Sequence, residues 1–133
     1  MTPTQQGLAE WHTLATSPDP ERLARIVAEG AVFHSPVVHT PQEGRTLVVA
    51  YLSAAAAALG QGQFGYVREI VDGPHAMLEF TCVLDEIQVN GVDIITFDDA
   101  GKITDFKVMI RPIKAVNKVW EMMAAQLEKA SAS

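Results

Sequence analysis

The sequence has little cysteine and little positive charge. Its one cysteine, Cys82, excludes an internal disulfide and any zinc site built from several cysteines. Lys and Arg number 10 against 16 Asp and Glu, which gives a net charge of -6, and the basic residues stand singly. Because nucleic-acid binding depends on clustered positive charge, this composition argues against a nucleic-acid partner.

Long apolar runs are absent as well. The longest one, the alanine-rich stretch 47–59, is too short and too poor in large side chains to cross a membrane. The N-terminal residues MTPTQQG lack the basic start and the apolar stretch of a signal peptide. The 4 histidines lack the close spacing of a metal site. We therefore expect a cytoplasmic protein with no membrane partner, no metal ion and no cofactor.

The residues that are present suit one domain over 1–133, because 48% of them are apolar. Helical spacing of apolar residues comes first, around 8–15, 20–30 and 45–59, interrupted by a short strand at 31–35. Strand patterns follow from about 63 to 111, and a final helix starts at Pro112, with Trp120 on its apolar side. This order predicts an α+β fold, in which a curved antiparallel sheet wraps around helices and forms a cone-shaped apolar pocket.

Two turn signals compete between residues 85 and 91. Asn90-Gly91 is typical of a two-residue hairpin turn, and a turn at Asp85-Glu86 is equally compatible with the flanking pattern. The two alternatives pair different residues across the hairpin. A β-bulge could also change which residues share a face.

Asp93 is the leading candidate for a functional residue. It lies in the segment VDIITF, where it shares its strand parity with Ile95 and Phe97, which are expected to face the interior. A carboxylate on a buried strand face is costly unless it is hydrogen-bonded, protonated or opens onto a polar cavity. We therefore expect Asp93 to point into the pocket and to have a raised pKa.

The chain resembles the nuclear transport factor 2-like superfamily, in particular its SnoaL-like and ketosteroid isomerase-like members. The resemblance rests on the helix pair around Ser17-Pro18-Asp19-Pro20, the strand AVFHSP at 31–36, the helix opened by Glu43-Gly44-Arg45, and VDIITFDDAGKI at 92–103. It implies a single SnoaL-like domain with a cystatin-like α+β barrel fold. Members of this superfamily include isomerases, cyclases, epoxide hydrolases, dehydratases and non-catalytic binding or transport domains.

The resemblance also implies roles for single residues. The general-base aspartate of the isomerases corresponds to Ser35, which follows His34, so that base is missing here. Their oxyanion-donating tyrosine corresponds to Trp11, and their protonated aspartic acid corresponds to Asp93. SnoaL-like cyclases use histidine and aspartate as acid–base groups, and His34 with Asp93 could form such a pair.

Three functions follow as hypotheses. The first is an enzyme that acts on an apolar carbonyl compound, such as a cyclic one, through Asp93 and His34; it would be an isomerase, cyclase or lyase-like enzyme without a cofactor. The second is a non-catalytic binding domain for a small apolar ligand, and the third is a dimeric interaction module. The expected pocket wall consists of Trp11, Ser35, Tyr51, Phe80, Ile95, Phe97 and Trp120.

A homodimer is expected in each case, because the convex face of a sheet covered by helices on one side needs cover. Thr81 and Thr96, with Val83, Val108 and Ile110 nearby on the sheet, make up the face expected to pair.

Overall fold

The structure is a computed structural model that describes residues 1–132, with side chains described for residues 1–129. The helices in this range are α1 Pro3–Thr16, α2 Pro20–Ile26, α3 Arg45–Leu59 and α4 Ile113–Ala132. The strands are β1 Val27–His34, β2 Gln42–Glu43, β3 Gly65–Asp72, β4 His75–Leu84, β5 Ile87–Phe97 and β6 Ile103–Arg111. The predicted α+β class is confirmed.

All six strands form one sheet in the order β2-β1-β6-β5-β4-β3. Strands β3 to β6 are joined as consecutive antiparallel hairpins, whereas β1 runs parallel to β6. The sheet is therefore mixed, although hairpin signals alone predicted an antiparallel one. The reason is that β1 reaches β6 from far away in the sequence, so no hairpin fixes their relative direction.

Polar residues cap the first two helices. The Thr2 hydroxyl accepts a hydrogen bond from the Gln5 N–H, and the Gln5 side chain accepts one in return from the Thr2 N–H. Asp19 Oδ1 accepts from the N–H groups of Glu21 and Arg22 at the start of α2, and Pro20 follows at the first helical position. The segment around Asp19 thus separates α1 from α2, as its sequence predicts.

The boundary between α2 and β1 differs from the prediction. We expected the helix to stop at Gly30 and the strand to cover 31–35, but the helix ends at Ile26 and Gly30 lies inside β1. Val27 is fully buried as the first residue of the strand, and its carbonyl accepts a hydrogen bond from Arg45 Nε at 2.8 Å. Burial of a β-branched residue and this contact with the start of α3 outweigh the local helical pattern.

The turn between β4 and β5 lies at Asp85-Glu86. Both residues have positive φ angles, 48° and 67°, and they connect the paired residues Leu84 and Ile87. Asn90-Gly91 therefore lies within β5. Gly91 is required there by close packing, because a Cβ at this position would lie 2.3 Å from the Phe80 ring and 2.7 Å from the Met109 carbonyl oxygen.

Gly91→Ala is expected to lower the free energy of unfolding by ~1–3 kcal/mol, the usual cost of forcing an extra methyl group into a packed core. Gly65→Ala is the matched control, because it also lies in a strand and a Cβ there meets nothing within 4 Å. We expect the control to change stability by less than about 0.5 kcal/mol. Equal denaturant midpoints for Gly91→Ala and wild type would contradict this packing.

Helices α1 to α4 cover one face of the sheet and enclose an aromatic core. Trp11 of α1 packs edge-on against Phe106 of β6, and Phe106 stacks at a tilt on Phe33 of β1. Cys82 is buried in β4, and this burial raises the pKa of its thiol to about 11. Among the described helices, none is long and apolar enough to cross a membrane.

Candidate functional site

A cavity of about 240 Å³ lies between the helices and the sheet. Its mouth is framed by exposed residues, Pro18 and Asp19 between α1 and α2 and Pro20 at the start of α2. Its wall is almost wholly apolar: Trp11 and Leu14 from α1, Leu23 from α2, Leu52, Ala55, Ala56 and Leu59 from α3, Phe64 before β3, and Phe106 and Val108 from β6. The volume lies just below the ~300–1,000 Å³ range of pockets for drug-sized ligands, which indicates a compact occupant.

The carboxyl group of Asp93 opens onto this cavity. Asp93 is 5% exposed, and it lies on the same buried face of β5 as Ile95 and Phe97, as the strand parity predicts. Burial raises the pKa of Asp93 from 3.8 to about 7, and a hydrogen bond from Tyr66 opposes part of that rise. An acid of this kind is neutral over much of the accessible pH range and can both donate and accept a proton near neutrality.

Tyr66 and Trp11 form a hydrogen-bond chain that ends at Asp93. The indole Nε1 of Trp11 lies 3.0 Å from the Tyr66 hydroxyl oxygen, and that hydroxyl lies 2.6 Å from Asp93 Oδ2. Burial and the neighbouring Asp93 carboxylate raise the pKa of Tyr66 well above its ordinary value of 10.0. Tyr66 is therefore a neutral donor, and the chain crosses from α1 through β3 to β5 at the polar end of an apolar cavity.

Trp11 is the one predicted wall residue that lines this cavity. Phe80, Ile95 and Phe97 are buried in the core instead, and Tyr51 packs against Phe33. Their inward direction follows the predicted parity, but they do not line the cavity. Phe80, for example, packs against Phe64 and Tyr66, which form part of the wall.

Trp120 and Ser35 also differ from the prediction. Trp120 is 47% exposed, because Ala115, Val119 and Met123 form the buried side of α4. Ser35 follows the end of β1 outside the cavity wall, and its Oγ accepts a hydrogen bond from the Val37 N–H at 3.2 Å. Neither side chain lines the cavity.

His34 lies away from the cavity and does not pair with Asp93. Its Nε2 is 2.8 Å from Asp105 Oδ1 of β6, and both side chains are partly exposed. The adjacent residue, Phe33, takes the buried face of β1. The structure thus contradicts the proposed acid–base pair of His34 and Asp93, because alternation along β1 places Phe33 inside and His34 outside.

Tyr66 is the site residue that sequence reasoning missed. The signal that could have identified it is the spacing of Phe64 and Tyr66, two aromatic residues of the same strand parity, which both line the cavity. The inward alternation does not continue along β3, because a bulge between Tyr66 and Arg68 shifts the register against β4. The rest of β3 is exposed.

Metal ligands are not grouped at this site. Within residues 1–129, no three His, Cys, Asp or Glu side chains lie close enough together to hold one ion. The polar groups on the cavity wall are Asp93, Tyr66, Ser53 and Asp19, of which Asp19 already caps α2. The arrangement can therefore offer a ligand the Asp93 carboxyl group at the inner end of an apolar space, as one acidic proton or one carboxylate oxygen, together with the Ser53 hydroxyl.

Comparisons with known proteins agree with this architecture. The family model described as a SnoaL-like domain matches residues 8–106. A crystal structure named a steroid delta-isomerase, from Pseudomonas aeruginosa, is 34% identical over 100% of this chain and 97% of its own, with a TM-score of 0.93. A protein with a cystatin-like fold from Silicibacter pomeroyi is 30% identical over 90% of this chain and 84% of its own, with a TM-score of 0.83.

A more distant structure shares the fold. It is an NTF2-like protein from Mesorhizobium loti, 23% identical over 83% of this chain and 92% of its own, with a TM-score of 0.72. A search of curated protein sequences found no match. Fold and comparisons together define an α+β protein of the NTF2-like, cystatin-like class. Within that class, the chain belongs to the SnoaL-like domain family.

Proposed function

We propose that this protein is a small-molecule enzyme of the SnoaL-like type that acts on a compact, apolar carbonyl compound. The observation that carries the proposal is the Asp93 carboxyl group, buried at the inner end of an apolar cavity and raised in pKa to about 7. In its neutral form, Asp93 donates a hydrogen bond to the carbonyl oxygen and stabilises the negative charge that develops there when a base from the solvent, water or a buffer anion, takes a proton from the neighbouring carbon. His34 has no part in this proposal, because it lies outside the cavity.

Proton exchange next to a carbonyl group tests this chemistry without knowledge of the natural substrate. The probe is 1-tetralone, a compact bicyclic ketone, dissolved in D₂O, and the readout is loss of the NMR signal of the protons beside the carbonyl. We expect the wild-type protein to accelerate their exchange for deuterium above the buffer rate. If the ketone binds but its protons exchange at the buffer rate, the result contradicts enzymatic function and supports a second candidate function.

That second candidate is a non-catalytic binding domain with the same pocket. It is favoured by one observation: Ser35, at the position of the isomerase base, lies outside the cavity and is already hydrogen-bonded to the Val37 N–H. A cytoplasmic location and the lack of membrane and nucleic-acid partners also remain proposals that rest on the sequence.

Efficient steroid isomerisation is not expected of this chain. That reaction moves a proton between two carbons and needs a carboxylate base facing the donor carbon, whereas Ser35 offers an engaged hydroxyl outside the cavity. Loss of a general base commonly lowers a rate by ~10²–10⁴-fold. An assay with a 5-ene-3-ketosteroid should therefore give rates far below those of a dedicated isomerase. Turnover near such an enzyme would show that another group supplies the base.

We also propose a homodimer that forms through the outer face of the sheet. Val108, which we expected on this face, instead lines the cavity. The outer face carries the exposed side chains of Ile70, Met77 and Met109, the last of them 52% exposed, around a polar chain of Arg68, Glu79, Asn90 and Arg111. A mixed apolar and polar face of this kind suits a self-complementary contact about a two-fold axis.

Met109→Glu is expected to convert a dimer into a monomer at micromolar protein, because it places a charge within the apolar part of this face. Leu47→Glu is the matched control, since Leu47 is 45% exposed on α3, one of the helices that cover the opposite face of the sheet. Light scattering should give the dimer mass for wild type and the control. A monomer mass for wild type would contradict the dimer.

A further inference from the structure

Tyr66 is central to the cavity, although the proposed reaction assigns it no chemical step. Its hydroxyl oxygen lies 3.0 Å from Trp11 Nε1 and 2.6 Å from Asp93 Oδ2. An indole N–H can only donate, so the Tyr66 oxygen must accept that hydrogen bond. Its own O–H then donates to Asp93 Oδ2, and the direction of the whole chain is fixed by the donor-only character of Trp11.

This direction decides where a neutral Asp93 carries its proton. A proton on Oδ2 would point at the Tyr66 oxygen, and the Tyr66 hydrogen would then lack an acceptor within the described residues. The direction of the chain therefore favours the proton on Oδ1. Among the described side chains, no buried oxygen or nitrogen lacks a hydrogen-bond partner, and Asp93 lines the cavity, so Oδ1 is the oxygen that a ligand can reach.

We propose that Tyr66 is a positioning residue that holds Asp93 Oδ2, so that Oδ1 faces the ligand as an O–H donor, and that the ligands are compact neutral molecules with one buried acceptor oxygen of the carbonyl type. The inference rests on the proposed function in one respect, namely that the ligand binds at Asp93. It adds the atom that makes the contact, the residue that selects that atom, and the charge of the ligand.

The remaining groups around the cavity support a neutral ligand. No Lys or Arg side chain contributes to the described wall, so a carboxylate would enter an apolar space without a counter-charge. Two other ionisable groups lie nearby. Asp19 caps α2 at the mouth of the cavity. His12 packs its imidazole ring edge-on against the Tyr66 ring and pairs with Glu69. His12 Nε2 and Glu69 Oε1 are hydrogen-bonded to each other at 2.5 Å.

The test follows the carboxyl carbon of Asp93 by NMR in protein labelled with ¹³C aspartate, with the signal identified by its loss in Asp93→Asn. Removing one hydrogen bond to the charged oxygen in Tyr66→Phe should raise the titration midpoint of Asp93 by ~1–2 pH units. Tyr51→Phe is the matched control, because it removes the other tyrosine hydroxyl of the chain, outside the cavity, and its midpoint should equal that of wild type. An unchanged midpoint in Tyr66→Phe would overturn the assignment of Tyr66.

Ligand binding supplies a second readout in the wild-type protein, which stands even if Tyr66→Phe fails to fold. Bound 1-tetralone should raise the Asp93 midpoint, and its affinity should fall as pH rises through that midpoint, because only the neutral acid donates to the ketone oxygen. Tetralin, the matching hydrocarbon, should raise the midpoint less than the ketone does, because it displaces water from the carboxyl group but accepts no hydrogen bond. Tighter binding of 1-aminotetralin, with a lowered midpoint, would overturn the ligand class.

The two proposals fail in different ways. If 1-tetralone binds with this pH dependence but its protons do not exchange, the enzymatic function fails and the inference about Tyr66 and Oδ1 stands. A different result is that exchange is accelerated while Tyr66→Phe changes neither the titration midpoint of Asp93 nor the pH at which 1-tetralone affinity falls. In that case the function stands and the inference fails.

Discussion

Asp93→Asn is expected to lower the rate of carbonyl-assisted proton exchange by ~10²–10⁴-fold, the usual effect of removing a positioned acid or base. Asparagine keeps the shape of aspartic acid, and its side-chain oxygen can still accept the hydrogen bond from Tyr66. The variant should therefore fold and bind the ketone. What it loses is the acidic O–H, which stabilises negative charge on the ligand oxygen better than an amide N–H does. Exchange measured at saturating 1-tetralone is therefore the informative rate.

Asp105→Asn is the matched control for this variant. It makes the same chemical change at a carboxyl group that is paired with His34 away from the cavity. We expect its exchange rate to equal that of wild type. An Asp93→Asn protein with wild-type activity, or an equal loss in Asp105→Asn, would show that the chemistry does not take place at the cavity acid.

Stability should depend on pH through the same carboxyl group. The pKa of Asp93 is about 7 in the folded protein, against an ordinary value of 3.8. Below about pH 4 the group is neutral in both states and costs nothing. As pH rises from about 4 to about 7, the unfolded chain releases the proton first, so the free energy of unfolding falls. A difference of about three pH units corresponds to a loss of up to ~4 kcal/mol.

Asp93→Asn isolates this contribution from those of other ionisable groups. Its stability relative to wild type should increase by up to ~4 kcal/mol between pH 4 and pH 8, because asparagine does not ionise. Urea unfolding of both proteins at several pH values measures that difference. A constant difference over the whole range would show that Asp93 ionises as readily in the folded protein as in the unfolded chain. We thus expect one substitution to lower activity, while its stability relative to wild type increases with pH.

Strand parity explains why Asp93 could be located from the sequence. Alternation along 93, 95 and 97 depends only on neighbouring residues, and the polar residue at position 93 interrupts an otherwise apolar face. The helix over 45–59 was predictable for the same reason, because its apolar spacing is local. By contrast, the sequence did not decide whether the turn lies at Asp85-Glu86 or at Asn90-Gly91. The deciding contact is the packing of Phe80 over Gly91, which lies between two strands and is not visible in the local pattern.

The partners of Asp93 could not be predicted in the same way. Tyr66 reaches Asp93 across β4, and Trp11 reaches Tyr66 from a helix 55 residues away in the sequence. Local sequence patterns carry no information about contacts between residues so far apart in the chain. His34 was predicted as a site residue because histidine is a common acid–base group. The alternation along β1, which places Phe33 on the buried face, was the stronger physical signal.

A crystal structure of the protein with 1-tetralone, grown below pH 7, tests the central claim most directly. The account predicts the ketone within the cavity between the helices and the sheet, with its oxygen ~2.5–3.0 Å from Asp93 Oδ1. It also predicts that Tyr66 still donates to Oδ2 of the same carboxyl group. A ketone oxygen bonded elsewhere, or a ligand bound outside this cavity, would contradict the assignment of Asp93 as the group that contacts the carbonyl.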